Sequence, residues 1–185
     1  MLQKITALVT GAGAPGIAGT IFSLKALERP LRLIGVDLNA EAAGGPLLDK
    51  LCTVPPPESE EYHTTLLEIC RREEVQVILP QTTREIEALS KEISFYREAG
   101  VEVMVSPWEA IRAANDKAHL IQLFKSLGFS APKTVTVHTV EELMDAALTL
   151  GYPQKPVAVK PPKSNGMRGY RTLTTQRMTL ERFLA

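Results

Sequence analysis

The chain has 185 residues, of which 44% are hydrophobic and 23% charged, a balance typical of a globular protein with a substantial core. Lys plus Arg and Asp plus Glu both number 21, so the formal charge is zero and indicates neither nucleic acid nor an acidic membrane as a partner. Cys52 and Cys70 lack metal-ligand spacing and are interpreted as reduced thiols. Because no apolar run reaches membrane-spanning length and no signal peptide is apparent, we expect a cytoplasmic protein.

The first hundred residues alternate short apolar runs with amphipathic stretches. The apolar runs predict strands at residues 5–9, 31–36, 51–54, 75–79 and 101–105. Helical spacing predicts helices over residues 15–28, 59–73 and 82–99. Ser59 is expected to cap the second helix, and Thr82 with Glu85 has the spacing of a capping box for the third. This alternation predicts an α/β fold, a Rossmann-like doubly wound parallel sheet.

A second unit is expected after Pro107, where the pattern of elements changes. Asn115-Asp116-Lys117 opens a helix whose apolar residues are expected to face inward: Leu120, Ile121, Phe124 and Leu127. Thr139 and Glu142 have capping-box spacing for a further helix. The other predicted elements are strands at residues 134–137, 157–159 and 170–173 and an amphipathic segment at 180–184. These elements are too few for a self-contained domain, so we expect a fragment that ends within a domain.

Three glycines follow the first predicted strand in the pattern G-x-G-x-x-G. They are Gly11, Gly13 and Gly16, and Asp37 ends the second strand at a distance that suits a ribose hydroxyl. The pattern is a dinucleotide-binding fingerprint, yet any Rossmann-like sheet needs a tight first turn with or without a cofactor. No Tyr-x-x-x-Lys pair is present and the three histidines are isolated, so nothing downstream supports hydride chemistry.

The stretch from residue 157 to 173 carries the strongest sign of phosphate binding. Lys160 ends an apolar strand that is expected to be buried, where an ammonium group is costly unless an anion meets it. Gly166 and Gly169 let the following loop bend sharply and bring its N–H groups close to phosphate oxygens. The alternative is an ordinary hairpin with a basic loop, in which Lys160 extends to water.

The segment Lys160-Pro161-x-x-Ser164-x-Gly166-x-Arg168-Gly169 resembles the lysine and glycine-loop segment of ATP-grasp enzymes, especially those similar to the large chain of carbamoyl-phosphate synthetase. Four other segments resemble that family in the same order. They are residues 11–19, Leu79-Pro80-x-x-x-x-Glu85-Ile86, Asn115-Asp116-Lys117 and Gly128-x-x-x-Pro132-Lys133-Thr134. Each motif is weak alone, but their order and spacing over nearly the whole chain are specific.

The resemblance implies an ATP-dependent ligase that activates a carboxylate as an acylphosphate for attack by an amine or a similar nucleophile. It implies a pre-ATP-grasp domain at residues 1–112 and the first part of an α+β ATP-grasp domain at residues 113–185. ATP and Mg²⁺ are the implied cofactors, and the magnesium ligands are expected in a later lobe rather than among residues of this chain. The implied nucleotide-binding residues are Lys117, Lys160, Ser164, Asn165, Gly166, Arg168 and Gly169.

Several roles stay open at this stage. Lys117 is a phosphate ligand or a solvated surface lysine, and Arg168 adds charge at the phosphates or is an ordinary exposed arginine. Glu85 faces a substrate cleft or simply caps its helix, and the cap is favoured. The alternative functions are an NAD(P)-binding oxidoreductase and a non-catalytic nucleotide-binding module. The expected partners are small carboxylate and amine substrates, and the oligomeric state is open, a homo-oligomer included.

Overall fold

The computed structural model describes residues 4–164 and 168–174. The chain divides into two compact units, Met1–Ile111 and Arg112–Ala185. The amphipathic segment expected at residues 180–184 lies outside the described residues.

The first unit is built on a parallel sheet with the strand order β3-β2-β1-β4-β5. The strands are β1 (Ile5–Val9), β2 (Leu31–Asp37), β3 (Lys50–Thr53), β4 (Val77–Leu79) and β5 (Glu102–Val103). The helices are α1 (Ile17–Lys25), α2 (Tyr62–Arg72), α3 (Thr83–Lys91) and α4 (Ile93–Glu98), and the division between the two units falls within α5 (Trp108–Asn115). Because successive strands lie to one side of β1 and then to the other, the predicted doubly wound α/β fold is confirmed.

Both faces of this sheet are covered by apolar side chains. Consecutive residues of a strand point to opposite faces, so Leu8 and Val9 of β1 enter different clusters. Leu8 lies in the larger cluster with buried side chains of α2, α3 and α4, including Tyr96. Val9 lies in the smaller cluster with Ile21 of α1. Burying such side chains contributes about 1.5–3 kcal/mol each, which explains why the continuous apolar runs became strands.

A charged cluster fastens the end of α2 to the sheet. Glu73 follows α2 and is only 5% exposed. Its carboxylate accepts hydrogen bonds from Lys50 Nζ at 2.6 Å, Arg72 Nε at 2.9 Å and Arg32 Nη2 at 2.7 Å. These donors lower the pKa of Glu73 to about 2. The cluster therefore ties α2 to β2 and β3 through one buried carboxylate.

Two helix predictions in this unit were wrong in detail. The helix expected to continue to Gly100 breaks at Glu92, whose backbone leaves the helical region, and after the break α4 buries Tyr96. Ser59 does not cap α2, because the cap position is Glu61 and makes no side-chain bond there. The Ser59 hydroxyl instead accepts the Glu61 N–H at 3.3 Å within the preceding turn.

The second unit contains α6 (Lys117–Ser126), α7 (Val140–Thr149) and an antiparallel hairpin of β6 (Val157–Val159) and β7 (Arg171–Leu173). Its buried cluster consists of Ala147, Val157 and Leu173, with a few partly buried neighbours. The small side chain of Ala147 lets α7 lie against the hairpin. Thus the hairpin around the predicted loop is held by one helix.

Two other predictions for this unit were wrong. Residues 134–137 join no ladder among the described residues, and Val135 is 48% exposed. Strand-forming residues fit a pleated, half-buried surface, and without a partner strand their preference has no effect. The apolar residues of α6 do not face a core either: Leu120 and Ile121 are half-buried, and Phe124 and Leu127 are exposed.

The expected capping box of α7 is half formed. The Thr139 hydroxyl accepts the Glu142 N–H at 3.1 Å, as predicted. The Glu142 carboxylate accepts the backbone N–H of His138 at 2.6 Å. The helix start is therefore capped from both sides of Thr139, but not by the reciprocal pair that the spacing predicted.

Candidate functional site

The glycine loop after β1 lies where β1 and β4 are neighbours, the point at which the strand order of the sheet reverses. In open α/β sheets, ligands commonly bind beyond the carboxyl ends of the strands at this point. Gly11 adopts a φ of +56°, and a Cβ atom there would lie 2.7 Å from Thr82 Cγ2 and 3.0 Å from Glu85 Oε2. Only glycine therefore fits the first turn of this loop.

Glu85 lies beneath the loop and is 6% exposed. Its Oε2 atom accepts the Thr82 hydroxyl at 2.6 Å and the Thr82 N–H at 3.2 Å, so the predicted capping box is confirmed. Burial raises the pKa of Glu85, and the hydrogen bonds that it accepts oppose this rise.

The loop commits three of the four N–H groups from Gly11 to Ala14 within the chain. Ala12 N–H donates to the carbonyl of Val36 at 3.0 Å. Gly13 N–H donates to Asp37 Oδ2 at 2.7 Å, and Ala14 N–H donates to the carbonyl of Gly11 at 2.8 Å. The loop is therefore a closed joint, a turn held by hydrogen bonds within the chain.

Asp37 holds this joint from the end of β2. Besides the Gly13 N–H on Oδ2, its Oδ1 atom accepts the Asn39 N–H at 2.9 Å. The side chain that the fingerprint assigns to a ribose hydroxyl thus binds two backbone N–H groups. The glycines and Asp37 form a tight turn, the second of the two interpretations that the sequence allowed.

Two polar residues at this edge of the sheet, Thr10 and Gln81, were not identified as candidate site residues from the sequence. Gln81 N–H donates to the Thr10 hydroxyl at 3.3 Å, and Gln81 Oε1 accepts the Thr20 hydroxyl at 2.8 Å. Thr10 comes directly after the last residue of β1, and Gln81 comes two residues after the last residue of β4. In the sequence, a polar residue after each of two apolar runs was the sign that could have identified them, but only the strand order shows that the two strands are neighbours.

In the second unit, Lys117 reaches the loop that follows β6. Asp116 caps α6 by accepting the N–H groups of Ala118 and His119, which lower the pKa of Asp116. The cap places the Lys117 N–H 3.0 Å from the carbonyl of Pro162. The Lys117 ammonium donates to Ser164 Oγ at 3.1 Å. Two residues predicted to bind nucleotide, 47 positions apart in sequence, are therefore in direct contact.

Lys160 and the far side of this loop are open to solvent. Lys160 is exposed, so the expectation of a buried ammonium was wrong: β6 buries Val157 and leaves the next residues partly or fully exposed. Lys160 Nζ lies 5.5 Å from the centre of the Tyr170 ring, a cation–π contact. Arg168 is exposed as well.

Gly169 shapes the return of the loop. Its φ is +74°, and a Cβ atom there would lie 2.5 Å from Cγ of Pro161. Glycine is therefore required where the end of the loop packs against the start. Asn165 and Gly166 lie outside the described residues. With two lysines and one exposed arginine around a glycine turn, the loop has the chemistry to bind a polyanion.

The described residues contain no group of three or more His, Cys, Asp or Glu side chains that could hold a metal ion. No helix within residues 4–164 and 168–174 is both long and apolar enough to cross a membrane.

A family profile described as "PylC-like, N-terminal domain" matches residues 7–104. A segment of 105 residues is 30% identical to the carbamoyl phosphate synthase large chain of Archaeoglobus fulgidus and covers 55% of this chain and 10% of that relative. The chain thus spans about a tenth of the length of this curated relative.

Solved structures show the same fold at low identity. The biotin carboxylase domain of Hydrogenobacter thermophilus 2-oxoglutarate carboxylase, in complex with MgADP, ADP and bicarbonate, is 20% identical with a TM-score of 0.62, over 97% of this chain and 38% of that one. N5-carboxyaminoimidazole synthetase of Staphylococcus aureus is 16% identical with a TM-score of 0.64, over 98% of this chain and 44% of that one. Because the profile matches more than half of the chain, the protein belongs to the PylC-like N-terminal domain family, and its predicted resemblance to the domain that precedes ATP-grasp is confirmed.

Proposed function

We propose that this chain provides the pre-ATP-grasp domain and the first nucleotide-contacting part of an ATP-grasp ligase that activates a carboxylate. Family membership over residues 7–104 and the match to a carbamoyl phosphate synthase large chain support this proposal. The domain bounds of 1–112 and 113–185 are part of it. Small carboxylate and amine substrates, a cytoplasmic location and a homo-oligomer also belong to the proposal.

The observation that carries the proposal is the hydrogen bond between Lys117 Nζ and Ser164 Oγ. It brings the lysine at the start of α6 to the glycine-rich loop that begins after Lys160. A hydroxyl and a cation held together in this way form a polar pair that phosphate oxygens can engage. An ordinary surface lysine has no reason to be anchored at both its backbone N–H and its ammonium group, as Lys117 is on Pro162 and Ser164.

The proposed chemistry has two steps. A carboxylate oxygen attacks the γ-phosphorus of ATP, the bond to the bridging oxygen breaks, and ADP leaves with that oxygen. An amine nitrogen then attacks the acyl carbon, phosphate leaves, and the amine loses a proton. Phosphoryl transfer depends mainly on positioning and charge neutralisation, which lysines and backbone N–H groups can supply without covalent chemistry.

Within this scheme, Lys117, Lys160 and Arg168 neutralise phosphate charge, and Ser164 donates a hydrogen bond. The loop of residues 164–169, which includes Asn165, Gly166 and Gly169, covers the β- and γ-phosphates. These three cations, of which Lys160 and Arg168 are exposed and Lys117 is half-buried, fit ATP, whereas the described residues offer no cluster for magnesium. Mg²⁺ supplies further charge neutralisation when bound with ATP, and no residue of this chain is assigned to it.

The dinucleotide alternative receives no support from the loop after β1. Its N–H groups at Ala12, Gly13 and Ala14 are engaged, and Asp37 is held by Gly13 and Asn39. Adding NADH to the protein should therefore leave the cofactor fluorescence unchanged. A saturable change would return the oxidoreductase to consideration.

The first test is titration of ATP into the chain with calorimetry. Because only part of a nucleotide cleft is assigned here, we expect weak binding, with a dissociation constant on the order of 1 mM. Lys117→Met and Lys160→Met should each weaken binding about tenfold, since each removes a charge-assisted contact. Lys125→Met, in the last turn of α6, is the matched control and should bind like the parent protein. Equal binding by all four proteins would contradict the assignment.

The second test addresses the reaction. ADP formation is measured with the longest reading frame that contains this sequence, supplied with a panel of carboxylates and with hydroxylamine to trap an acylphosphate as the hydroxamate. One carboxylate should raise ADP formation and yield its hydroxamate in equal amount. Tight ATP binding with no carboxylate-dependent ADP would favour a non-catalytic nucleotide-binding module.

A further inference from the structure

A groove lies on the outer side of the first unit, between α2 and the edge strand β3. It encloses about 420 Å³, a size that accommodates a small metabolite. Its lining combines apolar, hydroxyl and charged side chains: Leu51, Thr53, Thr65, Glu68, Ile69 and Arg72. β3 is the last strand of the sheet order, so no strand from the described part of the chain pairs with its outer side.

The two charges of the groove are not paired with each other. Glu68 and Arg72 are four residues apart on α2, the spacing at which a glutamate and an arginine normally attract. Arg72 instead turns to Glu73, with Nε 2.9 Å from Oε1, and to Cys52, with Nη2 3.6 Å from Sγ. Glu68 forms no ion pair with any described residue. A carboxylate and a fixed guanidinium therefore lie one helical turn apart beside the same groove.

Apolar side chains line the groove together with these charges. Ile69 is buried, and Leu51 of β3 is half-buried. The hydroxyl groups of Thr53 and Thr65 also line the groove. An apolar floor with a few polar groups at its rim is the usual composition of a small-molecule site.

We propose that this groove binds a small zwitterion with an aliphatic side chain, an α-amino acid, whose carboxylate pairs with Arg72 and whose ammonium pairs with Glu68. The guanidinium has donors left for a carboxylate, because among the described residues it donates from Nε to Glu73 and from Nη2 to Cys52, which leaves its Nη1 hydrogens available. The aliphatic part covers Leu51 and Ile69. The proposal is independent of the ATP-grasp assignment, since every residue in it belongs to the first unit.

The alkylation rate of Cys52 can be used to measure ligand binding in this groove. Cys52 lines the groove and is half-buried, whereas Cys70 is 1% exposed and its pKa is raised to about 12 by burial. A neutral reagent such as iodoacetamide should therefore alkylate Cys52 and leave Cys70 intact. Mass spectrometry of the full chain then measures the alkylation rate as ligand is added.

The experiment compares three probes that differ only in their charges: L-leucine, 4-methylpentanoate, which lacks the ammonium, and 3-methylbutylamine, which lacks the carboxylate. Leucine should slow alkylation of Cys52 in a saturable way. Each truncated probe should need about tenfold higher concentration to give the same protection of Cys52, because it loses one charge-assisted contact. Equal protection by all three would mean that the apolar floor alone binds, and no protection by leucine would overturn the proposal.

Variants test the two charged partners. Glu68→Gln should reduce protection by leucine about tenfold and leave protection by 4-methylpentanoate unchanged. Arg72→Gln should also reduce protection by leucine about tenfold, but it should leave protection by 3-methylbutylamine unchanged. Arg71→Gln, the neighbour outside the groove lining, is the control. If Glu68→Gln, whose side chain is exposed and free of ion pairs, leaves leucine protection intact, the assignment is wrong. Protection by an extended peptide but not by leucine would point to strand addition at β3 and would also overturn it.

Discussion

The two glycine loops of this protein contain similar residues and differ in how much of their bonding capacity is used. In the loop after β1, the three successive N–H groups of residues 12–14 bind one carboxylate and two carbonyls. In the loop after β6, Lys160 and Arg168 are exposed, and the Lys117 ammonium meets a hydroxyl rather than a carboxylate. The first loop is closed by its own chain, and in the second Lys160 and Arg168 form no ion pair with any described residue.

The difference shows that a glycine pattern reports backbone shape rather than ligand. Gly11 and Gly169 both have positive φ angles and both would clash as alanine. At Gly11 the shape brings the backbone close to Thr82 and Glu85, and at Gly169 it lets the loop fold back on Pro161. What a loop can bind is decided by the donors and charges that remain after its internal bonds are made.

The largest expected effect on stability comes from Gly11→Ala. The substitution forces a Cβ atom against Thr82 and Glu85 and places a non-glycine residue at φ +56°, so we expect a loss of about 2–5 kcal/mol in the free energy of unfolding. Urea unfolding of the chain measures it. Gly16→Ala is the matched control, because no atom lies within 4 Å of its built Cβ, and should stay within about 0.5 kcal/mol of the parent protein. Similar losses for the two variants would show that the first loop is not a closed joint.

Replacing either of the two capping glutamates, Glu85 and Glu142, should lower the free energy of unfolding by a smaller amount. Glu85→Ala removes the partner of the Thr82 N–H and hydroxyl groups and should cost about 2–3 kcal/mol. Glu142→Ala removes an exposed carboxylate from His138 and should cost about 0.5 kcal/mol. Urea unfolding with separate fluorescence or amide signals for each unit measures both. An equal cost at the two sites would contradict the contrast between the buried and the exposed cap.

The pH dependence of stability should separate two buried carboxylates. Glu73 has a pKa of about 2, below its unfolded value near 4.5, so its contribution is present above pH 4.5 and is lost as pH falls toward 2. Glu85 has a raised pKa, so its contribution is full below pH 4.5 and is lost as pH rises through the folded value. We therefore expect Glu73→Gln to be less stable than the parent at pH 7 and to lose less stability on acidification. Unfolding curves from pH 7 to pH 2 test this. If Glu73→Gln and the parent protein lose the same stability between pH 4.5 and pH 2, the charged cluster around Glu73 does not stabilise the fold in this way.

Much of the fold follows from local sequence, because buried parallel strands are continuous apolar runs and β1 has the predicted bounds of residues 5–9. The cap formed by Thr82 and Glu85 follows from spacing alone, since its partners are three residues apart. The strand expected at residues 134–137 could not be judged from propensity, because a strand also requires a partner.

Part of the candidate site also depends on long-range order. Asp37 and Gly13 meet only because β1 and β2 are adjacent, and Thr10 reaches Gln81 only because the chain returns to place β4 on the other side of β1. The exposure of Lys160 depends on β6 being half of a two-stranded hairpin rather than a central strand. The pairing of Lys117 with Ser164 was implied only by the family resemblance, since no spacing rule links residues so far apart.

The central claim is that phosphate binds at the second glycine loop and not at the first. The most direct measurement is a titration of ATP into isotope-labelled protein, following the backbone amide resonances of both loops in one experiment. We expect saturable shifts at Ser164, Arg168 and Gly169, with the amides of Ala12, Gly13 and Ala14 unchanged because their hydrogen bonds are already made. Shifts confined to residues 11–14 would contradict the claim and would make the loop after β1 the nucleotide site.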